Sequence, residues 1–212
     1  MSLTVNVASY RYGHLAAQAI DSVLSQTVKP DVVRFFDDGV GDCSHLPAIY
    51  PEVEFVLRPD NLGTVANFQD ALDRTETEFT LFLGADNWLR LDALELLYGS
   101  RSADIISYDI AVVGEHRRAF SGRVGASETC HGANVWRFDP NTNIHAGNNC
   151  HGSSMYRVSE AKKVGYAPSG GSRTEEDWVL FRGMTKNGAV RAHVPEPLLY
   201  YRRHDRNFNP PS

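Results

Sequence analysis

Three consecutive carboxylates are the residues of this chain most suggestive of chemistry. Glu175, Glu176 and Asp177 lie between Thr174 and Trp178, with no basic residue among them. Carboxylates this close together coordinate a cation, accept protons, or are solvated at the start of a helix, where negative charge meets the positive end of the helix dipole. The helix-start interpretation is favoured from this segment alone, because Thr174 is a good N-cap and Asp177 lies where a capping box places its acid.

Two further carboxylates, Asp37 and Asp38, follow the apolar run 32–36 and precede Gly39. The carboxyl ends of strands are where an open α/β sheet places ligand chemistry. Asp38 could accept a hydrogen bond from the imide N–H of uracil or thymine, or from a ribose hydroxyl, because a carboxylate only accepts. Asp38 could equally form an Asx-turn with Gly39.

A third polar pair, Asp86 and Asn87, follows the apolar run 79–83. Two oxygen-bearing side chains there suit a hard divalent cation that holds a diphosphate. A turn before the helix expected at Leu91 is the alternative.

Near the C-terminus, His204 lies among Arg202, Arg203 and Arg206. The imidazole could be a metal ligand and the guanidinium groups could face phosphate. For Arg202 and Arg206 a solvated basic tail is the preferred interpretation.

Ser9 and Tyr10 directly follow the first predicted strand, 3–8. A backbone N–H and an aromatic face there could hold a nucleobase, although a plain strand-to-helix turn explains these residues equally well. The chain has neither G-x-G-x-x-G after this strand nor G-x-x-x-x-G-K-[ST] anywhere, so the dinucleotide-binding and P-loop classes lack support.

Strands and helices are predicted to alternate over the first 113 residues. Hydrophobic periodicity predicts strands at 3–8, 32–36, 53–57, 79–83 and 104–113, and helices at 14–25, 64–72 and 91–98. This order implies βαβ crossovers, and therefore an α/β fold with a mainly parallel central sheet and helices on both faces.

The region from Gly114 to Gly147 shows no periodic pattern. A loop of this length inside a compact domain is usually functional or disordered, and its aromatic residues Phe120, Trp136 and Phe138 favour a binding lid. Regular structure is predicted to resume at 153–158, 175–185 and in a last strand that ends at 198–201.

Composition describes an ordinary globular protein. The chain has 212 residues, 42% hydrophobic and 22% charged, which is enough for one domain with a full core. A net charge of −5 with dispersed basic residues argues against nucleic acid as a partner. No run approaches the roughly 20 apolar residues of a transmembrane helix and no signal peptide is visible, so we expect a cytoplasmic protein. Cys43, Cys130 and Cys150 fit no zinc spacing and are expected to be reduced thiols.

The order of these motifs resembles that of family-2 glycosyltransferases of the GT-A fold over nearly the whole chain. The matching segments are 7–10, 25–27, 36–39, 61–63, 82–87, 176–177 and 195–202. The resemblance implies a nucleotide-diphospho-sugar transferase-like fold and one glycosyltransferase domain, 1–212, with 1–113 as its nucleotide-binding half and 114–212 as its acceptor and catalytic half.

The resemblance also implies roles for individual residues. Tyr10 stacks on the base, Asp38 bonds it, Asp177 is the catalytic base and Glu176 orients it or the acceptor. The implied donor-binding residues are Ser9, Tyr10, Asp38, Asn61, Asn67 and Asp86, and the implied ligands of Mn²⁺ or Mg²⁺ are Asp86, Asn87 and His204.

Two positions depart from the D-x-D-D signature of the family, because Gly84 replaces its first Asp and Asn87 its last. Metal binding is then expected to depend on Asp86, with weaker help from the neutral Asn87. The segment 61–68 resembles a branch that includes rhamnosyltransferases.

The resemblance implies an inverting, metal-assisted hexosyl- or deoxyhexosyltransferase. It would move a sugar from a nucleotide-diphosphate sugar, with UDP-sugar favoured, to a glycan or glycoprotein hydroxyl. Because the acidic signature is eroded, the alternative is a non-catalytic nucleotide- or glycan-binding module on the same fold.

Overall fold

The structure is a computed structural model that describes residues 2–114, 124–125, 134–145, 149–168 and 176–207. For residues 124–125 it describes the backbone alone. Within these ranges it contains ten strands, five α-helices and one short 3₁₀ helix.

In chain order the elements are β1 (Leu3–Ser9), α1 (Gly13–Leu24), β2 (Val32–Asp37), the 3₁₀ helix (Leu46–Ala48), β3 (Glu54–Leu57), α2 (Thr64–Asp73), β4 (Phe79–Gly84), β5 (Trp88–Leu89), α3 (Ala93–Gly99), β6 (Ile105–Val113), β7 (Val124–Gly125), β8 (Asn134–Trp136), β9 (Met155–Arg157), α4 (Val158–Lys162), α5 (Glu176–Lys186) and β10 (Arg191–Arg202). The strands and helices predicted in the first 113 residues are confirmed to within two residues at each end. The short strands β5, β7 and β8 were not predicted, since two or three residues carry no periodic signal.

The central sheet has the strand order β3-β2-β1-β4-β9-β6-β10-β5, with β8 paired to β6 and β7 paired to β8. Neighbours among β3, β2, β1 and β4 are parallel, as are β6 and β10. The short strand β9 is antiparallel to both β4 and β6. The sheet is therefore mixed. Because β9 is antiparallel to the strands on both of its sides, the other long strands all run in one direction: β1, β2, β3, β4, β6 and β10.

Helices cover both faces of the sheet, as the sequence predicted. Successive side chains of a strand point to opposite faces. On β4, Leu81 and Leu83 join a core with the apolar sides of α1 and α3. Phe82 between them joins a second core with residues of α2, α4 and α5.

The parallel strands bring several predicted site residues to one edge. In the sheet register Ser9 of β1 lies beside Asp37 of β2, and Ala8 lies beside Gly84 of β4. The carboxyl ends of β1, β2 and β4 therefore meet, and the residues that follow each strand face the same space. Among the described residues, none of the helices combines the length and apolar character needed to cross a membrane.

Candidate active site

A cavity of about 670 Å³ opens at the carboxyl edge of β1, β2 and β4. Seven of the ten predicted site residues line it: Ser9, Tyr10, Asp38, Asn67, Asp86, Asn87 and Glu176. These residues come from both halves of the chain, and a cavity of this volume is in the range that holds a small-molecule ligand.

Asp38 is a buried carboxylate that holds the loop before α2. Its Oδ1 accepts a hydrogen bond from the Leu62 N–H at 3.0 Å, and its Oδ2 accepts one from the Gly63 N–H at 3.1 Å. Arg58 Nε lies 3.8 Å from Oδ1. Each carboxylate oxygen has two acceptor positions, so Asp38 can still accept a hydrogen bond from a ligand in the cavity.

The Asx-turn suggested for Asp38 belongs to its neighbour. Asp37 accepts hydrogen bonds from the N–H groups of Val40, at 3.2 Å, and Gly41, at 2.9 Å. Gly39 and Gly41 both have φ of 78°, the left-handed region that favours glycine. The turn interpretation of Asp38 with Gly39 is therefore wrong, and the Asp38 side chain lines the cavity instead.

In the described part of the chain, Asp37, Asp42 and Cys43 place three potential metal-ligand atoms within 4.8 Å of one another. Asp42 Oδ2 already accepts a hydrogen bond from the Gly13 N–H at 2.9 Å, at the start of α1. Burial raises the pKa of the Cys43 thiol to about 12, so it stays protonated. Asp37 and Asp42 thus hold the turn after β2 and the start of α1, and no member of this cluster lines the cavity.

Asp86 and His204, predicted to share a metal, lie side by side. His204 Nε2 is 3.3 Å from Asp86 Oδ2, and the Asn207 Nδ2 amide donates to the same oxygen at 3.0 Å. Burial raises the pKa of Asp86, and hydrogen bonds with His204 and Asn207 partly offset that effect. A buried carboxylate oxygen beside an imidazole nitrogen is a donor set that suits Mn²⁺ or another divalent cation.

The amide of Asn87 links Asp86 to β10. Its Nδ2 donates to Asp86 Oδ1 at 2.9 Å, while its Oδ1 accepts from the Arg202 N–H at 2.9 Å. The oxygen predicted to be a metal ligand therefore already accepts a hydrogen bond from the backbone. A Cβ at Gly84 would lie 2.8 Å from both Asn87 Nδ2 and Asp86 Oδ1. The two departures from the acidic signature are thus coupled, since the Asn87 amide lies where a side chain at position 84 would be.

The C-terminal segment contributes more to the site than the sequence indicated. Arg202 Nε donates to the Asp86 carbonyl at 3.0 Å, and its guanidinium lies 4.8 Å from the centre of the Trp88 ring. The solvated-tail interpretation is wrong for Arg202. Tyr12 donates its hydroxyl hydrogen to the Arg206 carbonyl at 2.8 Å, and its ring contacts His204 edge to face.

Nine lining residues were not among the predicted site residues: Ala8, Arg11, Tyr12, Thr64, Phe68, Gly84, Tyr201, Arg206 and Asn207. Arg206 lines the cavity although it is exposed, so its assignment to a solvated tail was incomplete. Asn207, three residues after His204, accepts a hydrogen bond from the His204 N–H at 2.6 Å. That spacing is the only sequence signal that could have indicated it.

The two acidic residues at the start of α5 are placed differently. Glu176 lines the cavity, and burial raises the pKa of its carboxyl. Asp177 is not among the lining residues; its Oδ1 accepts a hydrogen bond from the Trp178 N–H at 2.7 Å. A Cβ on Gly152 would lie 3.4 Å from Asp177 Oδ2. Thr174 and Glu175, on which the predicted N-cap depends, lie outside the described residues.

The remaining predictions concern Asn61 and the aromatic lid. Asn61 is exposed in the turn before Gly63 and does not line the cavity.

Most of the segment 114–147, including Phe120, lies outside the described residues. Trp136 and Phe138 stack with ring centres 5.0 Å apart, and Phe138 is buried in the core beside α1 and α3. Phe138 is therefore a core residue and not part of a lid.

The fold is α/β, with a cavity at the carboxyl edge of its parallel strands. The model of the family "Glycosyl transferase family 2" matches residues 4–165. That match includes more than half of the chain, and the protein belongs to this family. In sequence, no curated protein matches the chain.

Solved structures share the GT-A fold of this chain. S. aureus TarS 1-349, in complex with UDP-GlcNAc, is similar with a TM-score of 0.74 and 16% identity, over 98% of this chain and 60% of that one. The mannosyltransferase PcManGT from Pyrobaculum calidifontis, in complex with GDP-Man and Mn²⁺, is similar with a TM-score of 0.67 and 17% identity, over 97% of this chain and 58% of that one. The chain thus spans about three fifths of the length of these neighbours.

Proposed function

We propose that the protein transfers a sugar from a nucleotide-diphosphate sugar to a hydroxyl of a glycan or glycoprotein, with inversion and with help from a divalent cation. The observation that carries this proposal is one cavity lined by Asp38, Asp86 and Glu176, with His204 beside Asp86 at 3.3 Å. A UDP-sugar is the favoured donor. The solved complexes of TarS with UDP-GlcNAc and of PcManGT with GDP-Man support a nucleotide-sugar as the donor class.

The donor half of the cavity offers complementary groups for a nucleoside. Tyr10, which is 40% exposed, presents an aromatic face on which a base can stack. Asp38 offers acceptor oxygens for a base N–H or a ribose hydroxyl. The Asn67 Oδ1 accepts from Arg58 Nε at 3.1 Å, which fixes the orientation of this carboxamide at the cavity wall. Ser9 is buried at the end of β1, and Asn61 belongs to the turn that Asp38 holds.

Asp86 and His204 would hold Mn²⁺ or Mg²⁺, with Asn87 orienting the Asp86 carboxylate. A divalent cation here supplies positive charge for the diphosphate leaving group. Because His204 belongs to the second half of the chain, both halves form the donor site.

Transfer also requires a base for the acceptor hydroxyl. We assign this role to Asp177, with Glu176 orienting the acceptor. Asp177 takes the hydroxyl proton, the acceptor oxygen bonds to the anomeric carbon from the opposite side, and the bond to the diphosphate oxygen breaks with its electron pair leaving on the diphosphate. The hydrogen bond from the Trp178 N–H holds one Asp177 oxygen, and Gly152 faces the other, which would lie 3.4 Å from a Cβ at position 152.

A binding module without turnover is the second candidate, favoured by the loss of two carboxylates at Gly84 and Asn87. One experiment separates the two. The melting temperature is measured with UDP-GlcNAc or GDP-Man, with Mn²⁺ or with chelator, and nucleoside diphosphate release is measured on the same samples. Stabilisation with release supports the transferase, stabilisation without release supports the binding module, and neither effect contradicts both.

A further inference from the structure

A buried carboxylate outside the cavity, Asp109 on β6, connects β10 with the segment after β8. Only about 2% of its side chain is exposed. Its Oδ1 accepts from the Phe138 N–H at 3.0 Å and lies 3.1 Å from His193 Nε2. Arg137 Nη1 lies 3.5 Å from Oδ2. Burying a carboxylate is costly unless donors surround it, and Asp109 has three.

His193 is held from both sides of its ring. Its Nε2 faces a carboxylate and therefore donates, while its Nδ1 lies 3.0 Å from Ser107 Oγ. Ser107, His193 and Asp109 are the residue types of a nucleophilic triad. Ser107 is only 3% exposed, however, so its hydroxyl is not open to a substrate and a nucleophilic role is not supported.

A continuous series of contacts leads from Asp109 to the proposed base. Asp109 fixes the backbone of Phe138, whose ring centre lies 5.2 Å from that of His151. His151 precedes Gly152, the residue that faces the Asp177 carboxylate. Displacement of Phe138 would therefore move the backbone that faces this carboxylate.

The residues around Gly152 are fixed from the other side by Tyr108, the neighbour of Asp109. Its hydroxyl donates to the Ser153 carbonyl at 2.7 Å, and its own carbonyl lies 3.1 Å from His151 Nε2, which donates. Burial lowers the pKa of His151 to about 3, so the ring is neutral at physiological pH. The position of residues 151–153 thus depends on Tyr108 and on Phe138.

We propose that Asp109 is a positioning residue: through Phe138 and His151 it holds Gly152 against Asp177 and thereby sets the geometry of proton abstraction. This inference rests on the proposed function, because it concerns the base of that reaction. It predicts that Asp109 affects turnover and leaves donor binding unchanged, since Asp38, Asp86 and His204 are not in this series of contacts.

The test compares Asp109→Ala and Asp109→Asn with Asp104→Ala as the matched control. Asp104 also accepts from a backbone N–H, that of Val190, and pairs with Arg157, but it directly precedes β6, whereas Asp109 lies at the middle of the strand. Release of UDP from UDP-GlcNAc, or of GDP from GDP-Man, is followed with Mn²⁺ and with water as the acceptor. Rates are divided by the number of nucleotide-binding sites found by calorimetry, so unfolded protein does not count.

We expect Asp109→Ala to lower kcat about 10-fold or more with the donor KM changed less than about 2-fold, because small misplacement of a reacting group costs this much. Asp109→Asn should recover part of the rate, because its amide oxygen can still accept from the Phe138 N–H. Asp104→Ala should lower the melting temperature alone. A wild-type kcat per site in Asp109→Ala, or in Asp109→Asn where the alanine variant does not fold, would overturn the proposal.

Hydrogen–deuterium exchange separates this inference from the proposed function. If the wild-type protein releases no nucleotide, the proposed function fails, and the exchange rates of residues 149–154 still test the contact series. Faster exchange of this segment in the Asp109 variants than in Asp104→Ala supports the positioning role. Equal exchange contradicts it.

Discussion

His204 Nε2 lies 3.3 Å from Asp86 Oδ2, although 118 residues separate the two in the chain. The contact forms because β10 ends beside the turn after β4, where Arg202 and Asn207 both bond to Asp86. The pair places an imidazole beside a carboxylate that lines the cavity, although His204 itself is not among the lining residues. It provides the first test of the site.

Asp86→Ala should remove most of the effect of Mn²⁺ on nucleoside diphosphate affinity, and His204→Ala should remove less. The reason is that the carboxylate supplies charge and a neutral imidazole does not. Calorimetry of UDP and GDP with Mn²⁺ and with chelator measures both. Asp92→Ala, a carboxylate on the far side of β5 that pairs with Arg90, is the control. Equal affinity of the wild-type protein with metal and with chelator would refute the metal role.

Gly84→Ala should impair the site although it adds a single methyl group. The new Cβ would lie 2.8 Å from both Asp86 Oδ1 and Asn87 Nδ2 and would force these side chains apart. We expect a loss of about 1–3 kcal/mol in stability, as for other overpacked sites, together with weaker metal-assisted binding. Gly99→Ala is the matched control, since no atom lies within 4 Å of its added Cβ. Unchanged stability and binding in Gly84→Ala would show that the Asp86 and Asn87 side chains can move away from the added methyl group at no cost.

Asp177→Asn should abolish transfer and leave donor affinity nearly intact. The amide has the same shape but cannot take a proton, and loss of a general base typically costs about 10²–10⁴-fold in rate. If Asp177 only caps α5, the variant instead loses about 1 kcal/mol of stability with turnover per folded molecule unchanged. Turnover, donor affinity and melting temperature of this one variant decide between the two roles.

Glu176→Gln tests the buried carboxyl in the cavity wall through the pH dependence of stability. Burial raises the pKa of Glu176 in the folded protein, so the folded state binds the proton more tightly than the unfolded state. Stability contributed by this group is therefore present at low pH and is lost as pH rises from about 4.3, the ordinary pKa of Glu, through the raised value. The variant should melt above the wild type at neutral pH and close to it at pH 4. If the melting temperatures of the two proteins differ by the same amount at pH 4 and at neutral pH, the pKa shift is contradicted.

Much of the fold followed from local patterns in the chain. The apolar runs at β1, β2 and β4 predicted parallel strands, and the polar residues directly after them predicted where a cavity would form. Parallel strands must align their carboxyl ends, so Ser9, Asp38 and Asp86 had to converge. The antiparallel direction of β9 was not predicted, because the direction of a three-residue strand depends on the chain that leads into it.

Side-chain roles within the site were decided by tertiary contacts. The sequence predicted for Asp38 either a ligand contact or an Asx-turn with Gly39. The structure shows that Asp37 makes the turn bonds and that Asp38 holds the loop at Leu62 and Gly63. The motif likewise names Glu176 and Asp177 together. Only Glu176 lines the cavity. Adjacent helical residues point about 100° apart, so the rotation of α5 about its axis decides which of the two carboxyl groups faces the cavity.

Local patterns in the chain were sufficient to indicate the class of fold, the family and the edge of the sheet at which the cavity lies. The tertiary structure decided that Arg202, His204 and Asn207 surround Asp86, and that Asn87 bonds the backbone of β10. These contacts depend on the register of β10 against β6, which shifts between Val194 and Leu199. A register set by long-range pairing leaves no periodic signal in the chain, because its energy comes from partners far away in sequence.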